Sequence, residues 1–80
     1  MLTPYIQAAM RHATYEILED GTFYGEIPCL AGVFSNAATL EDCREQLQEV
    51  LEGWIILGLK SGHSLPEIDS LRLDANLEVA

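Results

Sequence analysis

The feature that most constrains the fold is a long helical pattern in the second half of the chain. Apolar residues recur at steps of three and four from Leu40 to Lys60, which predicts an amphipathic helix about 30 Å long. Thr39 and Asp42 are spaced as in a capping box, and Gly62 is placed to end the helix as a C-cap. A helix of this length crosses the full width of a domain that 80 residues can form.

The two halves of this helix differ in polarity. The first half has a clean polar face, whereas Gly53 to Leu59 is apolar on all sides. One apolar face can pack on a sheet, and the other needs cover from an N-terminal helix or a second subunit; we expect both to contribute. A core of this size supplies only about 3–5 kcal/mol, so a partner subunit would add stability. We therefore predict a homo-oligomer, first of all a dimer, with its interface at Trp54, Ile55, Ile56 and Leu59.

The first half of the chain predicts a short helix followed by a β-hairpin. Apolar residues at helical spacing predict a helix over residues 3–12, since the proline near its start is tolerated in a first helical turn. Residues 13–18 and 22–27 are rich in β-forming residues and alternate in polarity. The Asp20-Gly21 pair between them is a strong turn signal, so the two segments should pair as antiparallel strands.

The remaining segments complete an α+β fold. A third strand is predicted at residues 32–35, a short fourth strand at 69–74 and a frayed tail at 75–80. The expected architecture is a short N-terminal helix, a three-stranded antiparallel meander and one long helix packed on the sheet. We expect Leu40, Cys43, Leu47, Val50 and Trp54 to pack on the sheet face that carries Tyr15, Ile17, Phe23 and Ile27.

The charge of the chain excludes several classes of function. It has 4 basic and 13 acidic residues, a net charge of −9, and its basic residues are scattered singly. Nucleic-acid phosphates and anionic membranes both require clustered Lys and Arg, so direct binding to either is not expected. The sequence has no signal-peptide pattern and no apolar run near the ~20 residues of a membrane span, so we expect a soluble cytoplasmic domain.

The sequence contains no evident catalytic or metal-binding motif. Its two cysteines and two histidines lie at spacings that fit neither a zinc site nor a thiol–base pair, so no cofactor and no metal are expected. Glu16 and Glu26 share one face of the predicted hairpin, and paired carboxylates can hold divalent metals for phosphodiester cleavage. A nuclease would also need basic residues to hold its substrate, so we do not expect an enzyme.

Several short motifs occur in an order that resembles a known family. The motifs are Tyr15-x-Ile17-x-x-Asp20-Gly21-x-Phe23-Tyr24-x-Glu26-Ile27-Pro28, Leu30-x-Gly32-Val33, Thr39-Leu40-Glu41-Asp42 and Gly62-x-x-Leu65-Pro66. The combination covers residues 13–68 and resembles the N-terminal domain of HicB-like antitoxins. The resemblance implies a β-β-β-α-β domain, similar to a truncated RNase H fold without a working nuclease site.

The resemblance also implies a function. The best-known HicB-like proteins neutralise HicA toxins, which are small basic ribonucleases that cleave mRNA. They oligomerise, and many carry a C-terminal DNA-binding domain that represses their own operon. This sequence differs by the extra residues 1–12 and by ending at Ala80 without room for that domain, so autorepression by this chain alone is not expected. We expect residues 1–80 to form a single HicB-like domain.

A basic toxin would match the charge of this chain. An acidic surface raises the rate of association with a basic RNA-binding surface. We therefore predict an antitoxin-type protein that occludes a HicA-like toxin; the alternatives are an orphan HicB-like oligomer with an unknown partner and a residual metal-dependent nuclease. The acids at steps of three or four on the long helix form one stripe, which would otherwise be a solvated face. The candidate contact residues are Glu41, Glu45, Glu49 and Glu52 on the helix and Glu19, Asp20 and Glu26 on the hairpin.

Overall fold

A computed structural model describes residues 2–71 of the chain. The described strands form one antiparallel sheet in which they are neighbours in chain order, and the long helix packs on one face of it. This confirms the predicted α+β class with its N-terminal helix, three-stranded meander and long second helix. The elements are α1 (Leu2–Arg11), β1 (Thr14–Ile17), β2 (Phe23–Glu26), β3 (Phe34–Ala37) and α2 (Leu40–Lys60).

The long helix α2 begins and ends where the sequence predicts. Thr39 is its N-cap, and the Oγ1 atom accepts a hydrogen bond from the backbone N–H of Asp42 at 3.1 Å. After the last turn, Gly62 adopts a φ of 76°, which favours glycine, and its N–H donates to the carbonyl of Leu59 at 3.0 Å. Within residues 2–71, neither helix has the combined length and apolar character that crossing a bilayer requires.

Strand alternation places Tyr15, Gly25 and Ser35 side by side on the sheet face that α2 covers. Ser35 Oγ donates a hydrogen bond to the carbonyl oxygen of Cys43 at 2.8 Å. A Cβ atom at Gly25 would lie 2.9 Å from the Tyr15 ring and 3.1 Å from the Cys43 sulfur. The Tyr15 ring from the neighbouring strand and the Cys43 side chain from the helix together leave no room for a side chain at position 25.

The core lies between α1, α2, the sheet and the loops that join them. The loop after β2 contributes three apolar side chains that are each 1% exposed, whereas none of the buried apolar residues of the described chain lies in a strand. The hydroxyl of Tyr5 also donates to the carbonyl of Pro66 at 2.6 Å, which ties α1 to the segment after α2. The buried apolar residues are Tyr5, Ala8 and Ala9; Ile27, Leu30 and Val33; Cys43, Leu47, Leu51 and Ile55; and Leu65 and Ile68.

The buried stripe of α2 differs from the predicted one. Leu40 and Val50 are 45% and 40% exposed, so their predicted burial is wrong, and Trp54 is half-buried. Each step of four residues advances about 40° around the helix, so the buried face turns gradually along α2 and leaves these positions at its margins. The structure instead buries four side chains at regular steps of four, namely Cys43, Leu47, Leu51 and Ile55.

The predicted burial of Ile17 is also wrong. Ile17 pairs with Phe23 in the last row before the hairpin turn, and this row lies on the sheet face that α2 covers. The strand β1 is an edge strand, however, and the Ile17 side chain is 68% exposed. Alternation therefore predicted the correct face, but it did not predict how far the helix covers the edge of the sheet.

Two predicted strands differ from the structure. The third strand begins at Phe34 rather than at Gly32, because Gly32 has a φ of 92° inside a turn and cannot belong to a strand. In the predicted fourth strand, Asp69 and Ser70 have φ values of 51° and 68° and form a turn between Ile68 and Leu71, which make an isolated bridge. The other residues of that prediction, 72–74, and the predicted tail, 75–80, lie outside the described residues.

Candidate binding surfaces

The acidic stripe predicted on α2 lies on its outer side. Three of its residues are exposed, and Glu52, which is half-buried, accepts a hydrogen bond from Gln48 at 3.2 Å. Arg44 lies beside the stripe and lines a shallow depression together with its first two residues. This guanidinium group reduces the negative potential of that side of the helix. The stripe consists of Glu41, Glu45, Glu49 and Glu52.

The hairpin acids Glu19 and Asp20 are exposed at the turn between β1 and β2. Asp20 Oδ1 accepts hydrogen bonds from the hydroxyl of Thr22 at 2.6 Å and from its backbone N–H at 3.0 Å. These two bonds favour the ionised carboxylate and lower the pKa of Asp20. Asp20 therefore stabilises the turn itself, whereas the third hairpin acid, Glu26, lies on the sheet.

The residues predicted for an oligomer interface differ in how deeply the structure buries them. Ile55 is 1% exposed and belongs to the core, so its assignment to a surface contact is wrong. Trp54 and Leu59 are half-buried and pack against the core. Ile56 is 56% exposed, and Leu57, which was not predicted as an interface residue, is 67% exposed. The exposed apolar part of this half of α2 is therefore centred on Ile56 and Leu57.

Opposite the helices, the sheet presents a second surface, which we call the open face. It consists of the outward-facing residues of two rows that cross all three strands. Phe34 is 54% exposed, and its ring stacks on that of Tyr24 with centroids 6.2 Å apart and planes at 26°. The rows are Thr14, Glu26 and Phe34, and Glu16, Tyr24 and Asn36.

Two carboxylates of the open face lie beside Tyr24. The Tyr24 hydroxyl donates a hydrogen bond to Glu26 Oε1 at 3.1 Å, and Glu16 is its cross-strand neighbour on β1. Desolvation, the bond to Glu26 and the negative charges of both glutamates raise the pKa of Tyr24, so its hydroxyl stays protonated and continues to donate. The open face thus combines an exposed phenylalanine, stacked on a half-buried tyrosine, with the negative charge of two carboxylates.

A groove of about 520 Å³ lies along the surface between α1 and α2, which pack together beneath it. Arg11 and Arg44 line it together with polar and apolar side chains, and Arg11 also approaches Asp69 at 3.7 Å.

The Tyr15 hydroxyl is buried and has no hydrogen-bond partner among the described residues. Burial raises the pKa of Tyr15, and the positive charge of Arg44 partly opposes that rise.

The cysteines and histidines lie apart in the structure. Cys43 is buried against Ser35, and Cys29 is exposed in the loop after β2. His12 Nε2 lies 2.9 Å from Asp69 Oδ1, which joins the end of α1 to the turn after α2. Across residues 2–71, no three or more His, Cys, Asp or Glu side chains are grouped so that they could hold a metal ion.

The comparisons with known proteins assign the chain to a family. The model of a family described as UPF0150-like matches residues 4–66. This chain belongs to the UPF0150-like family. That family is small and related to HicB, which agrees at this level with the resemblance seen in the sequence. The match includes most of α1, so the family pattern includes part of the segment expected to be an addition to it.

One solved structure supports the same fold for this UPF0150-like chain. It is the crystal structure of TTHA0281 from Thermus thermophilus. The sequences of the two proteins are 38% identical, and the similarity covers 91% of each chain. The TM-score of 0.87 shows that the two folds agree closely. No curated protein matches the chain.

Proposed function

We propose that this UPF0150-like chain is a cytoplasmic binding protein that neutralises a small basic HicA-like mRNA-cleaving toxin by covering its RNA-binding surface. The observation that carries this proposal is its negative surface on a HicB-related fold: the net charge is −9, and none of the described carboxylates is buried. A toxin that binds RNA needs a basic surface, which such a protein complements. Inhibition would result from occlusion, without a chemical step by this chain.

An RNA-cleavage assay tests this proposal and the absence of enzymatic activity together. On its own, a HicA-like toxin should cleave RNA. The cleavage should stop when the purified chain is added in an amount equal to that of the toxin. The chain alone should cleave no RNA with magnesium or manganese. If it did, and the Glu16→Gln/Glu26→Gln variant did not, the nuclease hypothesis would replace the binding one. Unimpeded cleavage by the toxin in the presence of excess chain would contradict neutralisation.

The second candidate function is an orphan oligomeric domain with a different partner. It is favoured by the apolar side chains of Ile56 and Leu57, which are both more than half exposed on α2. Exposed apolar side chains of this size are typical of protein interfaces. The absence of any toxin that binds the chain, together with stable self-association, would favour this candidate over the first.

The change Ile56→Glu should weaken self-association more than it weakens the fold. The side chain is 56% exposed in the single chain, so a glutamate there is solvated in the monomer but desolvated in an interface. Sedimentation should show a shift toward monomer, while the urea midpoint of the dilute protein changes little. Equal losses in both measurements would assign Ile56 to the core, and a wild-type chain that is monomeric at micromolar concentration would remove the predicted oligomer.

A further inference from the structure

The open face lacks a covering element within the described part of the chain. The side chains that meet α2 belong to the opposite rows of the sheet, as the hydrogen bond from Ser35 Oγ to the carbonyl oxygen of Cys43 shows. A face without cover would ordinarily carry polar residues that water solvates. Here it carries an exposed Phe34 stacked on a half-buried Tyr24, and aromatic residues are enriched where proteins bind one another.

The charge of the open face indicates which partner it fits. Its two ionisable carboxylates, Glu16 and Glu26, form no ion pair with any residue in the range 2–71. Both lie next to the Tyr24 ring, so negative charge and aromatic surface occupy the same place. A second copy of the chain fits poorly, because it would bring the same carboxylates together without a countercharge.

We infer that the open face is the docking surface for the basic partner, and that it receives arginine side chains from that partner. This inference rests on the proposed function. A guanidinium plane can stack on the Tyr24–Phe34 pair and bind a neighbouring carboxylate at the same time. A lysine ammonium is more strongly hydrated and cannot form the bidentate contact, so the face selects arginine over lysine.

The location of the surface can be measured by NMR on the ¹⁵N-labelled chain. Addition of an unlabelled HicA-like toxin should shift the amide signals of Thr14–Ile17, Phe23–Glu26 and Phe34–Ala37 most strongly. If the largest shifts lie on α2 instead, the open face is not the docking surface, although neutralisation itself would stand. Shifts at the open face that depend only on the concentration of the chain would identify a second copy as its occupant and overturn the inference.

Paired variants test which groups carry the contact. The Glu16→Gln/Glu26→Gln variant should raise the dissociation rate of the toxin about tenfold or more, because each loss leaves a partner cation unpaired. The variant Glu41→Gln/Glu45→Gln loses the same two charges from α2 and should leave that rate within about twofold. The inference is overturned if both variants raise the dissociation rate equally.

The aromatic pair is tested in the same way. Phe34→Ala should also raise the dissociation rate of the toxin about tenfold. Phe34→Tyr keeps the stacked ring and should leave that rate near the wild-type value. Leu2→Ala is the matched control, since Leu2 is 47% exposed and lies on α1. Well-dispersed NMR spectra would confirm that each variant is folded, and an unchanged rate in a folded Phe34→Ala protein would contradict the inference.

A peptide probe separates failure of this inference from failure of the proposed function. If no HicA-like toxin binds, the neutralisation proposal fails, and the labelled chain is then titrated with an oligo-arginine peptide and an oligo-lysine peptide of equal length. Preferential shifts of Tyr24 and Phe34 with the arginine peptide would support the docking surface independently. Equal affinity for both peptides, or shifts mainly on α2, would overturn it.

Discussion

Replacing Leu47 with alanine is expected to lower the free energy of unfolding by about 2–5 kcal/mol. Leu47 is 0% exposed and lies within the buried stripe of α2. Truncation removes buried methyl groups and leaves a cavity that the close approach of the helix and the sheet cannot readily collapse. Such a loss is a large share of the stability that a core of this size provides, so it should appear clearly in urea denaturation.

The matched control is Leu57→Ala on the same helix. Leu57 is 67% exposed, so the same truncation should change the unfolding free energy by about 0.5 kcal/mol or less. If Leu47→Ala prevents folding, Leu47→Met supplies the measurement, since a volume-conserving change should cost less than about 1.5 kcal/mol. Equal losses for Leu47→Ala and Leu57→Ala in the dilute protein would contradict the orientation of α2 described above.

Association with a HicA-like toxin is expected to slow about tenfold or more from low to high salt, because exposed charges that steer the encounter are screened within about 10 Å at 0.1 M. Replacing all four acids of the stripe by glutamine changes the net charge from −9 to −5, one unit for each residue. The association rate and its salt dependence should both fall, while the dissociation rate changes less. Stopped-flow measurements at several salt concentrations would give both rates. The four substitutions are Glu41→Gln, Glu45→Gln, Glu49→Gln and Glu52→Gln.

A variant with aspartate at the same four positions serves as the control, because it keeps the charge while shortening the side chains. It should retain both the association rate and its salt dependence. An unchanged rate and salt slope in the glutamine variant would mean that the stripe is an ordinary solvated helix face. The stripe would then contribute nothing to partner binding, and steering would have to come from other acids of the chain.

The candidate surfaces were only partly predictable from the sequence. Glu16 and Glu26 were placed on one face of the hairpin by alternation alone, and both do lie on the open face. The stacking of Phe34 on Tyr24 was not predicted, because it depends on the pairing of β2 with β3. That pairing depends on the loop after β2. Because Gly32 lies in a turn of this loop, the third strand begins at Phe34, two residues later than predicted. Local alternation contains no information about such a loop.

The sequence by itself determined the elements whose signals are local. The helix Leu40–Lys60 begins and ends at the predicted residues, because capping and helical periodicity act within a few positions of each boundary. Only the tertiary structure decided which apolar positions of that helix are buried and how far the helix covers the sheet. Val50 and Ile17 both follow an apolar pattern, yet they are 40% and 68% exposed. Their burial depends on packing against elements distant in sequence, which a repeat within one element cannot specify.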